Sequence, residues 1–400
     1  MKVRIEKSVA RGTVKAPPSK SYAHRLLICS ALAKGQSTVC GISQSVDMEA
    51  TLSCIISCGV EFEKNGDTVS VNGGIKDIGK EFNCYESGST LRFFIPISLV
   101  KGGKRVFFGS QRLMSRGLSV YEEIFKEQNI SFTRDETSLT VEGELKSGTF
   151  YVRGDISSQF ISGLLFALPL LKGDSKIVIT TKLESSAYVD ITIEALKTFG
   201  VEVIKNGNEL FVSGSQEYKC ANVEAEGDLS NSAFLDAFNY LGGDVTVQGL
   251  NEGSIQGDGI YKEYFELINN GTPVLDLSDC PDLGPIVFAL AGVKNGAVIN
   301  GTQRLKIKES DRVLAMATEL ECFGVEVSDK GDYVTVKGGD LHPPKRALSS
   351  HNDHRIVMAL SVILTLFGGE IEGAEAVSKS YPDFFDRIRE LGIKCEVTDK

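Results

Sequence analysis

The sequence repeats one phrase six times, and this repetition limits the possible folds more than any other feature. In each copy an amphipathic helical segment ends at Gly or Asn, and a short extended segment follows. The copies lie at residues 57–62, 127–132, 198–203, 269–274, 322–327 and 391–396. Gly or Asn at that point fits the left-handed residue that ends many helices. The copies recur at roughly seventy residues, which is longer than solenoid repeats, so each is predicted to be a small α/β unit.

Each unit also contains a second, more apolar helix that begins with a polar cluster. The segment 160–167 is apolar on nearly all faces, so a helix of this kind is predicted to be buried. The N–H groups at the start of such a helix point at whatever lies beyond its end. The six polar clusters lie at residues 20–21, 87–92, 157–159, 228–232, 279–285 and 351–355. We expect the six helix ends to face one space; the alternative is six independent helix caps.

The first of these clusters is the richest in charge. Two prolines keep residues 17–18 extended, Ser19 can cap the helix, and Lys20, Ser21 and Arg25 follow within its first turns. Cations beside a helix N-terminus form a site for a phosphate or a carboxylate. The alternative is a capped helix with a solvated basic end.

Composition restricts the class of protein. Four hundred residues suggest two domains, and the net charge of -10 argues against nucleic acid or an anionic membrane as the main partner. Nine cysteines without CxxC pairs, and only four histidines, make a structural zinc site improbable. No signal peptide or transmembrane segment is evident in the sequence, so we expect a reduced, cytoplasmic protein.

Residues 303–312 concentrate four basic side chains around Glu309 before a predicted helix. Lys308, Glu309 and Arg312 are spaced to share one helix face. A carboxylate among bound anions and cations can be tuned for proton transfer. The alternative is a solvated ion-pair cluster.

Few other side chains are candidates for chemistry. Asp282, Glu309 and His354 are the candidate proton carriers, and Arg116 and Lys379 are weaker candidates for anion binding. The sequence contains no Walker loop, no GxGxxG after a strand and no HExxH motif. This inventory indicates a site that binds polyanionic small molecules and transfers protons without a cofactor or a metal.

Nine phrases in family order resemble the EPSP synthases, the 3-phosphoshikimate 1-carboxyvinyltransferases of the enolpyruvyl transferase family. They are PPSKSYAHR, SGSTLR, RLMSRGLS, ISSQFISGLL, SSAYVDIT, DCPDLGP, KIKESDR, NDHRIVMAL and KSYPDFF. The resemblance implies a two-domain inside-out α/β barrel built from six βαβαββ-like repeats, three per domain. The domains would be 13–225, and 1–12 with 226–400, with the active site in the cleft between them.

The resemblance also implies the reaction, which moves the carboxyvinyl group of phosphoenolpyruvate to the 5-hydroxyl of shikimate 3-phosphate and releases phosphate. Asp282 would take the hydroxyl proton, Glu309 would act as acid and base at the methylene carbon, and Lys20 would neutralise the departing phosphate. The shikimate 3-phosphate ligands would be Lys20, Ser21, Arg25, Ser157, Ser158, Gln159, Ser185, Asp282 and Lys308. The phosphoenolpyruvate ligands would be Lys20, Gly88, Arg116, Gln159, Arg312, Arg355 and Lys379. No cofactor, metal, nucleic acid or membrane is implied, and a monomer is expected.

Two positions depart from the family pattern, and two rival functions stay open. Glu86 stands where many members have Asn, and Arg304 stands where some members have Asn. We therefore carry over no substrate contact to Arg304. One rival is the cell-wall relative that transfers the same group to a nucleotide-activated amino sugar. It would carry a reactive cysteine or aspartate around residues 110–119, and this segment contains no cysteine. The other rival is an anion-binding protein without activity.

Overall fold

The computed structural model describes residues 1–398, which contain thirteen α-helices and twenty-two β-strands. The helices are α1 (Lys20–Leu32), α2 (Val46–Ser57), α3 (Gly88–Ser98), α4 (Gln111–Ser115), α5 (Ser119–Glu127), α6 (Ser158–Ala167), α7 (Ser186–Thr198), α8 (Leu229–Asp236), α9 (Tyr261–Asn270), α10 (Gly284–Val293), α11 (Arg312–Glu321), α12 (His354–Phe367) and α13 (Phe384–Glu390). The strands are β1 (Lys2–Ile5), β2 (Arg11–Lys15), β3 (Gly35–Cys40), β4 (Glu61–Asn65), β5 (Thr68–Gly73), β6 (Glu81–Asn83), β7 (Lys104–Phe108), β8 (Ser131–Arg134), β9 (Ser138–Glu142), β10 (Thr149–Val152), β11 (Ser175–Ile179), β12 (Val203–Asn206), β13 (Glu209–Val212), β14 (Asn222–Glu224), β15 (Asp244–Gln248), β16 (Val274–Asp276), β17 (Ala297–Asn300), β18 (Val327–Asp329), β19 (Tyr333–Val336), β20 (Leu348–Ser349), β21 (Gly369–Glu372) and β22 (Cys395–Thr398).

Five of the sheets in the described chain share one four-stranded plan. Their strand orders are β14-β3-β5-β4, β6-β7-β9-β8, β10-β11-β13-β12, β16-β17-β19-β18 and β20-β21-β1-β22. The first two strands of each sheet are parallel and the other pairs are antiparallel. Parallel neighbours need a crossover, and α3, α6, α10 and α12 supply it in four of these sheets. This order is consistent with the βαβαββ-like repeats that the family resemblance implies, and a sixth sheet pairs β15 with β2 alone.

The chain divides into two compact units. Unit 1 contains residues 1–17 and the chain from 227 onward, and unit 2 contains residues 18–226. The first boundary differs from the predicted one between 12 and 13, because β2 pairs in parallel with β15 and so belongs to unit 1. At the other end of unit 2, β14 pairs in parallel with β3 of the same unit. Local helix and turn signals contain no information about such long-range strand pairing.

The apolar helices of the repeats lie at the centre of their units. In α1 every residue from Tyr22 to Leu32 is buried, and α6, α10 and α12 are buried along most of their length. Each unit has its own hydrophobic core. Helices that are apolar on all sides can be stable only when surrounded by protein, and here helices and sheets of the same unit cover them.

The repeated helix endings have the expected backbone conformation in most copies. Positive φ angles follow α2, α5, α7, α11 and α13 at Gly59, Asn129, Gly200, Gly324 and Gly392. The weakest copy in the sequence differs, because φ at Gly271 is 173° and the backbone after α9 is extended. Within residues 1–398, no helix combines the length and the apolar character needed to cross a membrane.

Candidate functional site

The N-terminus of α1 carries the first predicted cation in an ion pair. Ser19 caps the helix, since its hydroxyl accepts from the backbone N–H of Tyr22. Lys20 Nζ lies 2.8 Å from Asp47 Oδ2, and the two side chains are only 16% and 13% exposed. The sequence predicted Lys20 but not Asp47, which belongs to α2 and has no local motif of its own.

Arg25 lies one turn further along α1 and is almost fully buried. Its Nε donates to Thr192 Oγ1 at 2.7 Å, Nη1 donates to the carbonyl of Ser21 at 2.7 Å, and Nη2 donates to the carbonyl of Tyr188 at 3.0 Å. Burial lowers the pKa of this guanidinium to about 10. These contacts fix its position within unit 2, and its predicted contact with a substrate stays a prediction.

The N-termini of α3 and α6 meet at Gln159. Its Oε1 accepts from Arg92 Nη1 at 2.8 Å, and its Nε2 donates to Ser89 Oγ at 2.9 Å. The guanidinium of Arg92 also lies over the ring of Phe160, 5.1 Å from the ring centre. The amide of Gln159 therefore has a defined orientation. Arg92 closes the phrase SGSTLR, but the sequence did not indicate that it would contact Gln159.

Gly88 is the first residue of α3, and it lies against two arginines. A Cβ at this position would lie 2.8 Å from Arg116 Nη1 and 2.9 Å from Arg92 Nη1. Arg116 is buried and ends α4. The missing side chain thus allows two guanidinium groups to approach the start of α3.

The remaining predicted residues of unit 2 also lie at helix starts. Ser157 caps α6, Ser158 is its buried first residue, and Ser185 is buried immediately before α7. Ser185 has φ of 56°, a conformation that is uncommon for serine and is often found at functional sites.

A chain of buried side chains connects α1, α2 and α3 behind these ends. His24 Nδ1 lies 2.7 Å from Thr51 Oγ1, which lies 2.8 Å from Thr90 Oγ1, and Thr90 donates to Ser87 Oγ at 2.7 Å. Burial, together with the neighbouring cations of α1, holds the pKa of His24 well below its usual range, so the imidazole is neutral. Ser87 caps α3, so this chain connects α1 to the cap just before Gly88.

In unit 1, the buried guanidinium of Arg312 joins three carboxylates. Nη1 lies 2.8 Å from Asp282 Oδ1, Nη2 lies 2.9 Å from Glu309 Oε2, and Nε lies 2.9 Å from Asp353 Oδ2. Arg312 is only 1% exposed. The two predicted proton carriers, Asp282 and Glu309, are thus connected through one arginine. A substrate anion that binds Arg312 must therefore share it with these carboxylates.

Asp282 lies among three cations. Lys308 Nζ is 3.3 Å from Oδ1, and Arg355 Nη2 is 3.2 Å from Oδ2. Burial alone would raise the pKa of Asp282, but Arg355, Lys308 and Arg312 outweigh burial and hold the pKa well below its usual range. Burial lowers the pKa of Lys308 to about 8, although Asp282 opposes this shift.

The starts of α8, α10 and α12 meet at Arg355. Its Nη1 donates to the carbonyl of Asp282 at 3.2 Å, and its Nη2 donates to Ser230 Oγ at 3.0 Å. Lys379, at the end of a 3-10 helix (Ala374–Lys379), donates to the carbonyl of Asn352 at 2.7 Å. The structure thus brings five of the predicted residues of unit 1 together, namely Asp282, Lys308, Glu309, Arg312 and Arg355. It places Lys379 against the turn before α12.

Asp353 is a functional candidate that the sequence analysis did not single out. It is fully buried, caps α12 and accepts from both Ser310 Oγ and Arg312. Burial raises its pKa but Arg312 more than compensates, so the carboxyl is ionised. Within the described chain, no three His, Cys, Asp or Glu side chains come together in a way that could hold a metal ion.

Each unit therefore presents a cationic site where its central helices begin, the arrangement of a protein that binds small polyanions. Residues 5–388 match the family described as EPSP synthase (3-phosphoshikimate 1-carboxyvinyltransferase). The chain belongs to this family, and the family assignment made from its motifs is confirmed.

Individual relatives support the same assignment. The chain is 43% identical to a 3-phosphoshikimate 1-carboxyvinyltransferase of Clostridium kluyveri, over 98% of this chain and 97% of that protein. It is 41% identical to one of Clostridium perfringens, over 98% of both chains. A solved structure of an EPSP synthase from Acinetobacter baumannii matches with a TM-score of 0.80 and 22% identity over all of both chains. This likeness concerns the fold, and it confirms the predicted α/β class.

Proposed function

We propose that this enzyme transfers the carboxyvinyl group of phosphoenolpyruvate to the 5-hydroxyl of shikimate 3-phosphate, and releases phosphate. The reaction belongs to the shikimate pathway, which leads to chorismate and the aromatic amino acids. The names of the full-length relatives support the reaction. The observation that supports its chemistry best is the single buried arginine, Arg312, that joins the two candidate proton carriers.

We assign the substrates to the predicted residues of both units. The ligands of shikimate 3-phosphate are Lys20, Ser21, Arg25, Ser157, Ser158, Gln159 and Ser185 of unit 2, with Asp282 and Lys308 of unit 1. The ligands of phosphoenolpyruvate are Lys20, Gly88, Arg116 and Gln159 of unit 2, with Arg312, Arg355 and Lys379 of unit 1. Fixing both substrates in contact would contribute roughly 7–11 kcal/mol toward the barrier.

Substrate anions also supply a way to activate Asp282. As the protein stands, three cations keep this carboxyl a weak base. Lys308, Arg312 and Arg355 are also assigned to the phosphate and carboxylate groups of the substrates. Binding divides their charge between Asp282 and the substrates, so the pKa of Asp282 rises when both substrates are present.

The reaction then proceeds by addition and elimination. Glu309, in its protonated form, gives its proton to C3 of phosphoenolpyruvate and becomes a carboxylate, while the 5-hydroxyl oxygen bonds to C2 and its proton passes to Asp282. In the second step Glu309 takes a proton from the new methyl group, the double bond forms again, and the bond between C2 and the phosphate oxygen breaks. Lys20 neutralises the departing phosphate, and the surrounding cations stabilise the charge that builds up on it.

We also propose that the enzyme acts as a monomer in the cytoplasm without a cofactor. A net charge of -10, with cations concentrated at the site, favours small anions over nucleic acid as ligands.

Phosphate release from the two substrates tests this function. The wild type is expected to turn over, whereas Asp282→Asn and Glu309→Gln lower kcat by about 10²- to 10⁴-fold, because each removes a proton carrier. Asp190→Asn is the matched control, since this half-exposed aspartate pairs only with Lys205 among the ion pairs of the described chain. Turnover of an amino-sugar nucleotide in place of shikimate 3-phosphate, or wild-type rates in either variant, would contradict the proposal.

A further inference from the structure

Glu319 is a buried carboxylate that the proposed reaction does not use. It belongs to α11 and is 1% exposed. Its Oε2 accepts from Arg346 Nη1 at 2.9 Å and from the backbone N–H of Ser349 at 3.2 Å. Its Oε1 accepts from Arg346 Nη2 at 3.2 Å and lies 2.9 Å from His351 Nε2. Both oxygens therefore hold one segment, residues 346–351.

That segment ends in an unusual turn. His351 and Asn352 have φ of 49° and 55°, so two consecutive residues other than glycine adopt the left-handed conformation. Such a conformation is strained for a residue other than glycine and persists only where the surroundings enforce it. Glu319 contacts the turn from one side through Ser349 and His351, and Asp353 anchors its other end as the cap of α12.

This turn also contacts two cationic side chains that are assigned to phosphoenolpyruvate. The carbonyl of Asn352 accepts from Lys379 Nζ at 2.7 Å. The next residue, Asp353, accepts from Arg312 Nε at 2.9 Å. A displacement of the turn would therefore move the hydrogen-bond partners of both Lys379 and Arg312.

We propose that Glu319 is a positioning residue for the phosphoenolpyruvate ligands. It holds the turn 349–353 in the conformation that aims Lys379 and Arg312 at that substrate. The inference rests on the proposed function for its substrate, but the anchoring of the turn does not depend on that function.

The charge and the two oxygens of Glu319 are both needed for this role. Burial alone would raise its pKa, but His351, Arg346 and the N–H of Ser349 more than compensate, so the pKa lies below its usual value and the group is a carboxylate. An amide has one acceptor oxygen, so in either orientation Glu319→Gln would turn its N–H₂ group toward one of the two Nη donors of Arg346. A donor facing donors cannot hold the segment.

Steady-state kinetics of Glu319→Gln test the proposal. We expect the KM for phosphoenolpyruvate to rise about ten- to hundredfold, because a small misplacement of ligands has effects of this size. The KM for shikimate 3-phosphate is expected to stay within about twofold, since unit 2 supplies most of its proposed ligands. Arg346→Ala, which removes two of the donors, is expected to raise the KM for phosphoenolpyruvate by a smaller factor. Glu326→Gln is the control, because this exposed glutamate pairs with Lys337 and should leave both values unchanged.

Amide hydrogen exchange separates this inference from the proposed function. In Glu319→Gln, residues 349–353 are expected to exchange faster while α11 stays protected. Faster exchange with an unchanged KM for phosphoenolpyruvate would reduce Glu319 to a structural role and overturn the proposal. An equal rise in both KM values would overturn it as well. If the wild type releases no phosphate, the proposed function fails, and unchanged exchange in the variant would then show that Glu319 does not hold the turn.

Discussion

Lys308 lies where burial opposes the charge that it needs to bind a phosphate. Its pKa is lowered to about 8, and Asp282 limits the shift. The folded chain therefore loses this proton at lower pH than the unfolded chain does. Between about 8 and the ordinary lysine value, the unfolded state binds more protons, so this group's contribution to folding stability rises with pH. Its contribution to binding changes in the opposite direction, because the neutral amine attracts no phosphate.

This lysine gives the enzyme a pH limit that can be measured. We expect kcat/KM for shikimate 3-phosphate to fall as the pH rises through about 8, since this ratio reports the free enzyme. Lys308→Arg keeps its charge at that pH, so its profile should bend at a higher pH. Stopped assays of phosphate release at fixed ionic strength provide the measurement. Identical profiles for the two proteins would show that Lys308 does not set the limit.

Single residues were predictable from the sequence where a motif named them, whereas their partners were not. Lys20 and Arg312 belong to dense basic phrases, so their chemistry was evident. Asp47 and Asp353 pair with them, but these contacts join residues 27 and 41 positions apart. Such contacts depend on how the helices pack, which no local pattern records. The site residues as a set stay predictions until binding is measured.

Among the helices, the start of α3 depends most visibly on the absence of a side chain. Gly88→Ala would place a Cβ within 3 Å of the guanidinium groups of Arg116 and Arg92. Both contacts involve the ends of long side chains, so the arginines can move and the fold should persist. Arg92 also orients Gln159, so one methyl group would disturb two proposed ligands of phosphoenolpyruvate.

We therefore expect Gly88→Ala to raise the KM for phosphoenolpyruvate by about tenfold or more, with a melting temperature close to that of the wild type. Gly207→Ala is a control for the general effect of the substitution, although Gly88 is a helical residue whereas φ at Gly207 is positive. It lies in a turn with open space around it and far from the proposed ligands in sequence. A melting temperature that falls in Gly88→Ala without a change in KM would contradict this account.

Repeated helix endings were predictable because each depends on one residue at the end of one helix. The sixth sheet was not predictable in this way, because β2 lies just before α1 and yet pairs with β15, more than 200 residues later in the chain. The pairing of β1 with β22 likewise joins strands from opposite ends of the described chain. The family resemblance, by contrast, already implied that residues 1–12 belong to the C-terminal domain.

At the scale of the whole molecule, the proposed ligands are divided between unit 1 and unit 2. Lys20, Arg25 and Gln159 belong to unit 2, and Asp282, Glu309 and Lys379 belong to unit 1. No unit alone contains both the proposed proton carriers and Lys20. If one pair of substrates contacts all of these residues, binding must connect the two units, and domain closure is the gating step that we expect.

Small-angle scattering of Asp282→Asn tests this closure, because the slow variant can be saturated with both substrates. We expect its radius of gyration to decrease with shikimate 3-phosphate and phosphoenolpyruvate together, and to decrease less with either one. The melting temperature should rise in parallel, since a ligand at about a hundred times its Kd stabilises the folded state by about 2.7 kcal/mol.

Adding Lys379→Ala to this variant removes a proposed phosphoenolpyruvate ligand from unit 1 only, and it should weaken the effect of phosphoenolpyruvate. A rise in melting temperature at constant radius would mean that the substrates bind without drawing the units together, and a forward-scattering mass above that of one chain would contradict the monomer.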